Sequence, residues 1–285
     1  MTKEKLKITI KKLIPKTWIY EPIIVKNKLK RTAYKKKKNK YLFILSPPYC
    51  GSTLLNELIS TSQHVSVNNP FGTREGQTLP TVRKAMFGKN RWDENIEFDW
   101  ATIKQEWLKY WDLTRPILLD KSPPNIIRAK SISQTFKSSF FIIFYRNPYA
   151  HCESLMRREN YTPKSAAKFA LKCLTFQMHN VEDLKNSIQI SYELLSEKPE
   201  IAVNLIQDFI PEIDDINHLQ KFSAHNFLSE NMEIKNLNKE KIGKLKRQEI
   251  KEINQVFSKK TDVLNFFNYS LLIDAENHEI ISNKI

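Results

Sequence analysis

Two short segments of the chain combine residue types that bind phosphate groups. In the first, residues 46–53 read Ser-Pro-Pro-Tyr-Cys-Gly-Ser-Thr and follow an apolar run. In the second, Arg146 and Ser154 lie eight residues apart after another apolar run. Backbone N–H groups at a helix N-terminus bind one phosphate, and a guanidinium beside a hydroxyl suits another. Together the segments predict a ligand with two phosphates, such as a nucleotide phosphorylated at its 5′ and 3′ ends.

The first segment differs from the phosphate loop of nucleoside triphosphatases. That loop has Lys directly after its last glycine, whereas Gly51 is followed by Ser52. A later strand ends in Arg146, where a Mg²⁺-binding Asp would be expected. The sequence therefore disfavours a P-loop kinase, which stays an alternative because it would share the fold. Taken alone, the segment also fits an ordinary strand–helix turn with a Ser or Thr cap.

Both segments resemble those of sulfotransferases that use 3′-phosphoadenosine 5′-phosphosulfate (PAPS). Residues 46–55 are similar to the family's 5′-phosphosulfate loop, and residues 146–154 keep its Arg-to-Ser spacing for the 3′-phosphate. Residues 190–200 resemble a later strand and helix, in which Tyr192 matches a tyrosine that reaches the nucleotide. The likeness covers roughly residues 41–270 and is closest to the Golgi-type and bacterial branch.

The resemblance implies which residues bind PAPS and which carry out transfer of its sulfuryl group to an acceptor hydroxyl. Glu75 is implied as the general base for that hydroxyl. Lys121 is implied as the cation that stabilises charge while the bond to the phosphate breaks. No metal is implied. The implied donor-binding residues are Tyr49, Cys50, Gly51, Ser52, Thr53, Leu54, Arg146, Ser154 and Tyr192.

One residue of the phosphate loop departs from the family's pattern. The family usually has Lys or Arg two residues before the loop glycine, and here that residue is Tyr49. A phenol donates a hydrogen bond but carries no charge at neutral pH. We expect Lys121, Arg157 or Arg158 to supply the missing charge. The alternative is a protein that binds PAPS without catalysing transfer.

These residues require a scaffold that brings strand ends and helix starts together. Continuous apolar strands that alternate with helices predict an α/β fold of three layers, with a mainly parallel central sheet flanked by helices. With the resemblance, this implies the P-loop NTPase-like sulfotransferase fold. Strands are predicted over residues 41–45, 117–119, 140–145 and 188–192. Helices are predicted over residues 52–60, 98–111, 126–135, 149–159, 164–187, 200–209 and 238–257.

Charge and cysteine content divide the chain and limit its function classes. The formal net charge is +15, but residues 1–40 contain fifteen Lys or Arg against two Glu, so the arm carries +13 and the remainder +2. We therefore predict a basic N-terminal arm over residues 1–40 and a sulfotransferase domain over residues 41–285. Three cysteines without metal-ligand spacing predict reduced thiols in a cytoplasmic protein, and no apolar run is long enough to span a membrane.

The basic arm and a tryptophan-rich stretch indicate which partners the protein could bind. Lysines alternate with Leu, Ile and Trp in the arm, which suits docking on an anionic membrane surface. A solvated lead-in is an equal alternative, and nucleic acid is less favoured because the body is nearly neutral. The tryptophans at 92, 100, 107 and 111 offer stacking faces for a sugar, although their helical spacing favours the core. The expected acceptor is a cell-surface glycan or its lipid-linked precursor; a protein tyrosine or a small metabolite stays open.

Overall fold

The computed structural model describes residues 16–34, 38–88, 90–219 and 235–272. Its strands are β1 (Lys40–Leu45), β2 (Val65–Val67), β3 (Ile117–Asp120), β4 (Ser139–Tyr145) and β5 (Ser187–Ser191). They form one parallel sheet in the order β2-β3-β1-β4-β5. Because β1 lies between β3 and β4, the carboxyl ends of these three strands meet at one edge of the sheet, where parallel α/β proteins bind their ligands.

Helices connect the strands and cover both faces of the sheet. They are α1 (Lys16–Ala33), α2 (Ser52–Ile59), α3 (Arg83–Met86), α4 (Trp100–Tyr110), α5 (Ala129–Thr135), α6 (Pro148–Glu159), α7 (Pro163–Asp183), α8 (Tyr192–Glu197), α9 (Pro199–Phe209), α10 (Asn238–Ile242), α11 (Arg247–Phe257) and α12 (Thr261–Phe266). Short 3₁₀ turns precede α5 and follow α9 and α11. The predicted α/β architecture with a parallel central sheet is confirmed.

The side chains of β1 show why this strand is the centre of the fold. Phe43 and Leu45 point into one apolar cluster, with α4 and α5. Leu42 and Ile44 point into a second cluster on the opposite face, with α2 and α9. All four side chains are fully buried. A strand covered on both faces has no polar positions, which is why its sequence is a continuous apolar run and does not alternate.

Several predicted boundaries differ from the structure for local reasons. The predicted helix 126–135 begins as a 3₁₀ turn over Pro123–Arg128, where Pro123 and Pro124 start the turn. The predicted strand 188–192 ends at Ser191, whose hydroxyl caps α8 by accepting from the Leu194 N–H. The predicted helix 164–187 ends at Asp183. Strand β2, only three residues long, was missed.

The predicted helix over residues 238–257 was wrong in one respect, because the structure divides it into α10 and α11. α10 ends at Ile242 and is capped by Gly243, and α11 begins at Arg247 after the backbone N–H of Lys246 donates to the Glu249 carboxylate at 2.7 Å. The apolar periodicity continues through this break, so it did not reveal the turn. As a separate short helix, α10 packs against α6.

The described part of the basic arm packs on the body of the protein. Tyr20 belongs to the same apolar cluster as Phe43, and Asn27 donates to the carbonyl oxygen of Tyr110 at 2.6 Å. Lys30 forms an ion pair with Asp112. The division of the chain at residue 40 stays a prediction, and its first fifteen residues lie outside the described part.

Candidate functional site

The phosphate loop is shaped by one glycine at the end of β1. Gly51 has φ 92° and caps α2, which begins at Ser52. A Cβ at this glycine would lie 2.7 Å from Cδ2 of Tyr192. No side chain fits there without displacing the ring, and L-residues disfavour that backbone conformation. Gly51 therefore forms a tight turn that leads directly into α2 and its first backbone N–H groups. The turn packs against the ring of Tyr192, the predicted nucleotide-binding tyrosine.

Arg146 joins this loop to the end of β4. Its guanidinium is 4% exposed and stacks 3.8 Å above the ring of Tyr192. Nε donates to Oδ1 of Asn238 at 2.7 Å, and Nη1 donates to the carbonyl oxygen of Tyr49 at 3.4 Å. Nη2 is buried and has no hydrogen-bond partner among the described residues. A buried donor without an acceptor is costly in a folded protein, so Nη2 is open to an acceptor that the described residues do not supply.

Ser154 lies on the neighbouring helix α6, fully buried. Its hydroxyl donates to the carbonyl oxygen of Ala150 at 2.9 Å and accepts from Nζ of Lys241 at 2.5 Å. Lys241 also lies 3.3 Å from a carboxylate oxygen of Glu153. Burial, and then the charge of Arg146, lowers the pKa of Lys241 to about 8. We call Arg146, Ser154, Tyr192 and Lys241 the phosphate wall.

Lys241 and Asn238 contact two of the predicted donor-binding residues but are not predicted from the sequence. Both lie on α10, which brings Asn238 to Arg146 and Lys241 to Ser154. Lysines also occur at 239, 244 and 246, so charge alone does not single out position 241. Asn238 and Lys241 lie about one helical turn apart, on the same side of α10. Their spacing indicates a shared role only once α10 is known to be a separate helix that ends before Gly243.

The start of α6 follows from its own sequence. Pro148 occupies the first helical position, and the side chain of Asn147 accepts from the N–H of Tyr149 at 3.0 Å. The N–H of Asn147 donates in turn to a carboxylate oxygen of Glu193 at 2.8 Å. Glu193 also accepts from the side chain of Asn238. This partly buried carboxylate thus holds Asn147, which follows Arg146, and Asn238, which accepts from the Arg146 guanidinium.

The structure brings the two predicted catalytic residues together. Nζ of Lys121 lies 3.2 Å from Oε1 of Glu75, and it donates to the carbonyl oxygen of Thr73 at 2.7 Å. It also lies 3.5 Å from Oγ1 of Thr53 in the phosphate loop. Lys121 is 1% exposed, whereas Glu75 is more open. The cation therefore links the phosphate loop to the proposed base.

Asp120 holds the loop that carries Glu75 and was not predicted as a site residue. We call residues 68–80 the Glu75 loop. The Asp120 carboxylate accepts from the Gly76 N–H at 3.0 Å, from Asn68 Nδ2 at 2.9 Å and from Asn125 Nδ2 at 2.8 Å. Burial raises the pKa of this carboxyl to about 6. A Cβ on Gly76 would lie 2.2 Å from Asp120 Oδ1, so only glycine permits this approach.

Tyr49 does not replace the missing loop cation. Its hydroxyl donates to the Glu159 carboxylate, and Arg158 lies 5.5 Å from its ring centroid. Burial and the hydrogen bond to Glu159 raise the pKa of this phenol to about 12, so it is neutral at physiological pH. Arg157 is paired with Glu153 at 2.6 Å. Of the three residues expected to supply the charge, Lys121 contacts the phosphate loop.

Cys50 and three of the four predicted sugar-stacking tryptophans are buried in the protein interior. Cys50 is buried, and burial raises the pKa of its thiol to about 12. The side chains of Trp100, Trp107 and Trp111 are buried in the apolar cluster beside α4, so they do not offer stacking faces to a sugar. Away from the phosphate wall, His64, Asp214 and Asp215 have ligand atoms within 4.8 Å of one another.

Comparison with known proteins identifies the fold. No protein-family model matches the chain, and no curated protein matches it. Among solved structures, the sulfotransferase domain from the curacin biosynthetic pathway is similar, with a TM-score of 0.50 and 20% identity over 82% of this chain and 99% of that chain. Sulfotransferase STF9 from Mycobacterium avium gives a TM-score of 0.50 and 13% identity over 88% and 80%. The chain has the sulfotransferase fold, as its motifs predicted.

Proposed function

We propose that this protein transfers the sulfuryl group of PAPS to an acceptor hydroxyl. The observation that carries the proposal is the buried Arg146 guanidinium, whose Nη2 has no partner among the described residues and whose charge acts on Lys241, the donor to Ser154. The fold shared with sulfotransferases supports the same reaction class. We assign the phosphate wall to the 3′-phosphate of the donor, and the amides around Gly51 with Ser52 and Thr53 to its 5′-phosphosulfate.

The donor set of the phosphate wall fits a phosphate group. Arg146 offers a planar donor fork, Lys241 a second cation and Ser154 a hydroxyl. A dianionic phosphate would accept from the free Nη2 and would draw Lys241 away from Glu153. Tyr192 and its stacked guanidinium would add contacts to the nucleoside. A nucleotide without a 3′-phosphate leaves these charges unused, which is the basis of selectivity for PAPS.

The transfer requires one proton acceptor and one positive charge, and both are close to the phosphate loop. PAPS supplies the sulfuryl group when bound, and adenosine 3′,5′-bisphosphate is left when the S–O bond to its phosphate breaks. Glu75 accepts the proton of the acceptor hydroxyl as that oxygen bonds to sulfur. Lys121, 3.5 Å from Thr53, stabilises the negative charge that develops on the leaving phosphate oxygen.

The acceptor in this proposal is a carbohydrate hydroxyl. Phe71, on the Glu75 loop, is 42% exposed and offers an aromatic face near the base. An exposed aromatic ring suits the apolar face of a sugar, while the carboxylate meets a hydroxyl at its edge. A cytoplasmic location and attachment to a membrane remain parts of the proposal. Among the residues that the structure describes, no helix has the length and apolar character needed to cross a bilayer.

The test is a calorimetric titration without metal that compares adenosine 3′,5′-bisphosphate with adenosine 5′-monophosphate. We expect the bisphosphate to bind more tightly by about 100-fold or more, since each charged hydrogen bond to the 3′-phosphate contributes about 1.5–3 kcal/mol. Arg146→Ala should remove most of this difference. Arg83→Ala, which changes an exposed arginine on α3, should leave it intact.

Equal affinity for the two nucleotides in the unmodified protein would refute the assignment of the phosphate wall. Binding that needs Mg²⁺, together with turnover of ATP, would support the P-loop kinase instead. If the bisphosphate binds as expected, radiolabelled PAPS and a panel of sugar hydroxyls would measure transfer, and Glu75→Gln would show whether that transfer uses the proposed base.

A further inference from the structure

Helix α1 has apolar side chains on two opposite faces, and only one of them is covered. Tyr20, Ile23 and Ile24 face the body and join its apolar cluster. On the opposite side, residues spaced i, i+4, i+7 and i+11 point away from it. We call them the outer stripe: Trp18, Pro22, Val25 and Leu29.

The outer stripe is exposed to a degree that is unusual for such large side chains. Trp18 is 63% exposed, Val25 56% and Leu29 64%. The helix is held in place by the opposite face, through Asn27 and the ion pair of Lys30, so the stripe contributes nothing to that packing. A contiguous exposed apolar surface on a folded protein marks an interaction site.

Charge around the stripe identifies the class of partner. The exposed side chains of Lys26 and Lys28 flank it on its two sides, and residues 16–34 contain five Lys or Arg against one Glu. An apolar stripe that contains Trp and Leu, bordered by lysines, is the pattern of a helix that lies in the headgroup region of an anionic bilayer.

A second copy of this chain is disfavoured as the occupant. A two-fold symmetric contact through the outer stripe would bring the same surface of both copies together. Lys26 and Lys28 of each copy would then face like charges, which is destabilising at an interface. An anionic lipid surface meets the apolar stripe and the lysines at the same time.

We propose that α1 docks on an anionic membrane surface through the outer stripe. The helix lies parallel to the bilayer plane, with Trp18, Val25 and Leu29 among the headgroups and Lys26 and Lys28 beside anionic lipid phosphates. This use of the helix is independent of the proposed transfer reaction. It assigns a partner to a particular surface of the folded body, where the arm's composition alone left membrane docking and a solvated segment equally open.

Side chains of α1 contact the Glu75 loop. Docking of α1 on a membrane would therefore also place that loop, and the acceptor that it binds, near the membrane. The hydroxyl of Tyr20 donates to Oδ1 of Asn69 at 3.1 Å, and Asn69 Nδ2 donates to the carbonyl oxygen of Glu75 at 2.8 Å. The Tyr20 ring also contacts that of Phe71, with centroids 5.3 Å apart. If the proposed function holds, the base lies near the membrane and the acceptor is a hydroxyl carried on a lipid-linked molecule.

The experiment is sedimentation of the full chain with vesicles of phosphatidylcholine alone or mixed with phosphatidylserine. We expect binding to the mixed vesicles that weakens with added salt. V25S/L29S should weaken it about tenfold to a hundredfold, because two apolar side chains no longer enter the interface. K26Q/K28Q should weaken it about 30-fold, from the loss of two charges near the lipid.

A matched control lies on α9, where Ile201 and Leu205 are exposed with the same i, i+4 spacing as Val25 and Leu29. I201S/L205S should bind vesicles like the unmodified protein. Thermal unfolding and titration with adenosine 3′,5′-bisphosphate should be the same for every variant, since none of the changed side chains packs in the core. These two measurements separate a failure of docking from misfolding and from failure of the proposed function.

Trp18 provides a spectroscopic test of the orientation. Mixed vesicles should shift the Trp18 emission to shorter wavelength and protect it from aqueous quenchers. Trp18→Phe should abolish the shift while vesicle binding persists, because the apolar surface is retained. Equal binding to both kinds of vesicle, or binding unaffected by V25S/L29S, would overturn the proposal. So would self-association of the unmodified chain that V25S/L29S converts to monomer.

Discussion

One buried cation, Arg146, lies in the phosphate wall and another, Lys121, lies against the Glu75 loop, but the two cations differ in their partners. Lys121, which follows β3 and packs against the Glu75 loop, is surrounded by acceptors from Glu75, Thr73 and Thr53. Arg146 in the phosphate wall keeps one buried donor atom without a partner among the described residues. Acceptors of the protein already surround the Lys121 ammonium, whereas Nη2 of Arg146 is open to an acceptor that the described residues do not supply.

The carboxylates of the two regions show the same contrast. Asp120 has both oxygens engaged by donors of the Glu75 loop and of the turn after β3. In the phosphate wall, Glu153 shares Lys241 with Ser154, and an anionic ligand would compete for that lysine. The contrast suggests that changes in the Glu75 loop reduce the rate of transfer, while changes in the phosphate wall reduce affinity for the donor.

The largest expected effect is on the rate, from Glu75→Gln. Removing a general base lowers kcat by about 10²–10⁴, and the affinity for adenosine 3′,5′-bisphosphate should not change because Glu75 does not contact the phosphate wall. Steady-state transfer assays and nucleotide titration measure the two quantities. Glu106→Gln, at a surface carboxylate paired with Lys109, is the matched control. Loss of affinity with kcat retained would reverse the roles of the two regions.

Lys241→Met tests whether the phosphate wall determines affinity for the donor. It should reduce affinity for the bisphosphate by about 10- to 100-fold, through loss of one charged hydrogen bond, without affecting adenosine 5′-monophosphate. Lys239→Met, on the same short helix but exposed, should have no such effect.

The lowered pKa of Lys241, about 8, gives this prediction a pH dependence. The protonated lysine binds the phosphate, so affinity in the unmodified protein should be full below pH 8 and decline as pH rises above it. The decline should be absent in Lys241→Met. An identical pH profile in both proteins would mean that the lysine does not meet the ligand.

Gly76→Ala tests whether the Glu75 loop affects folding stability and kcat without affecting affinity for the donor. A Cβ would lie 2.2 Å from Asp120 Oδ1 and 2.4 Å from Asn68 Nδ2, so the Glu75 loop must shift. We expect the free energy of unfolding to fall by about 1–3 kcal/mol, and kcat to fall while bisphosphate affinity persists. Urea unfolding measures the first effect. Gly88→Ala is the control, because its Cβ would have no heavy atom within 4 Å.

The smallest effect on kcat is expected from changes at Tyr49, whose side chain belongs to neither the phosphate wall nor the Glu75 loop and whose hydroxyl bonds Glu159. If Lys121 already supplies the charge beside the phosphate loop, Tyr49→Arg should change kcat less than about fivefold, corresponding to less than about 1 kcal/mol. Tyr49→Phe removes the hydrogen bond to Glu159 at a partly exposed site and should cost less than about 1 kcal/mol of stability. A large gain of activity in Tyr49→Arg would instead indicate a donor-binding protein that had lost its catalytic cation.

The phosphate loop and the start of α6 could be predicted because their information is local. Gly51 and Pro148 impose backbone conformations on their own segments, and the strands before them are continuous apolar runs. Arg146 and Ser154 share one strand–helix unit, so their separation in space follows from their separation in sequence. The assignments of Glu75 and Lys121 came from the family resemblance, and the structure brings the two side chains into contact.

Lys241, Asn238 and Asp120 could not be identified in this way, because their roles depend on contacts between distant segments. Lys241 reaches Ser154 across 87 residues, and Asn68 reaches Asp120 across 52. Neither polarity nor periodicity marks these positions, which resemble the many other Lys, Asn and Asp residues of the chain. Only the packing of α10 on α6, and of the Glu75 loop on the end of β3, assigns them a partner.

The fold class, the phosphate loop and the strand–helix unit of Arg146 follow from local sequence, since each is encoded by residues that act on their own neighbourhood. The tertiary structure decided which donors stay free and which are used. Within the described part of the chain, it left Nη2 of Arg146 without a hydrogen-bond partner, gave Lys121 three acceptors and turned one apolar face of α1 outward. Whether a buried polar group has a partner is a property of the packed chain, because the partner comes from another part of it.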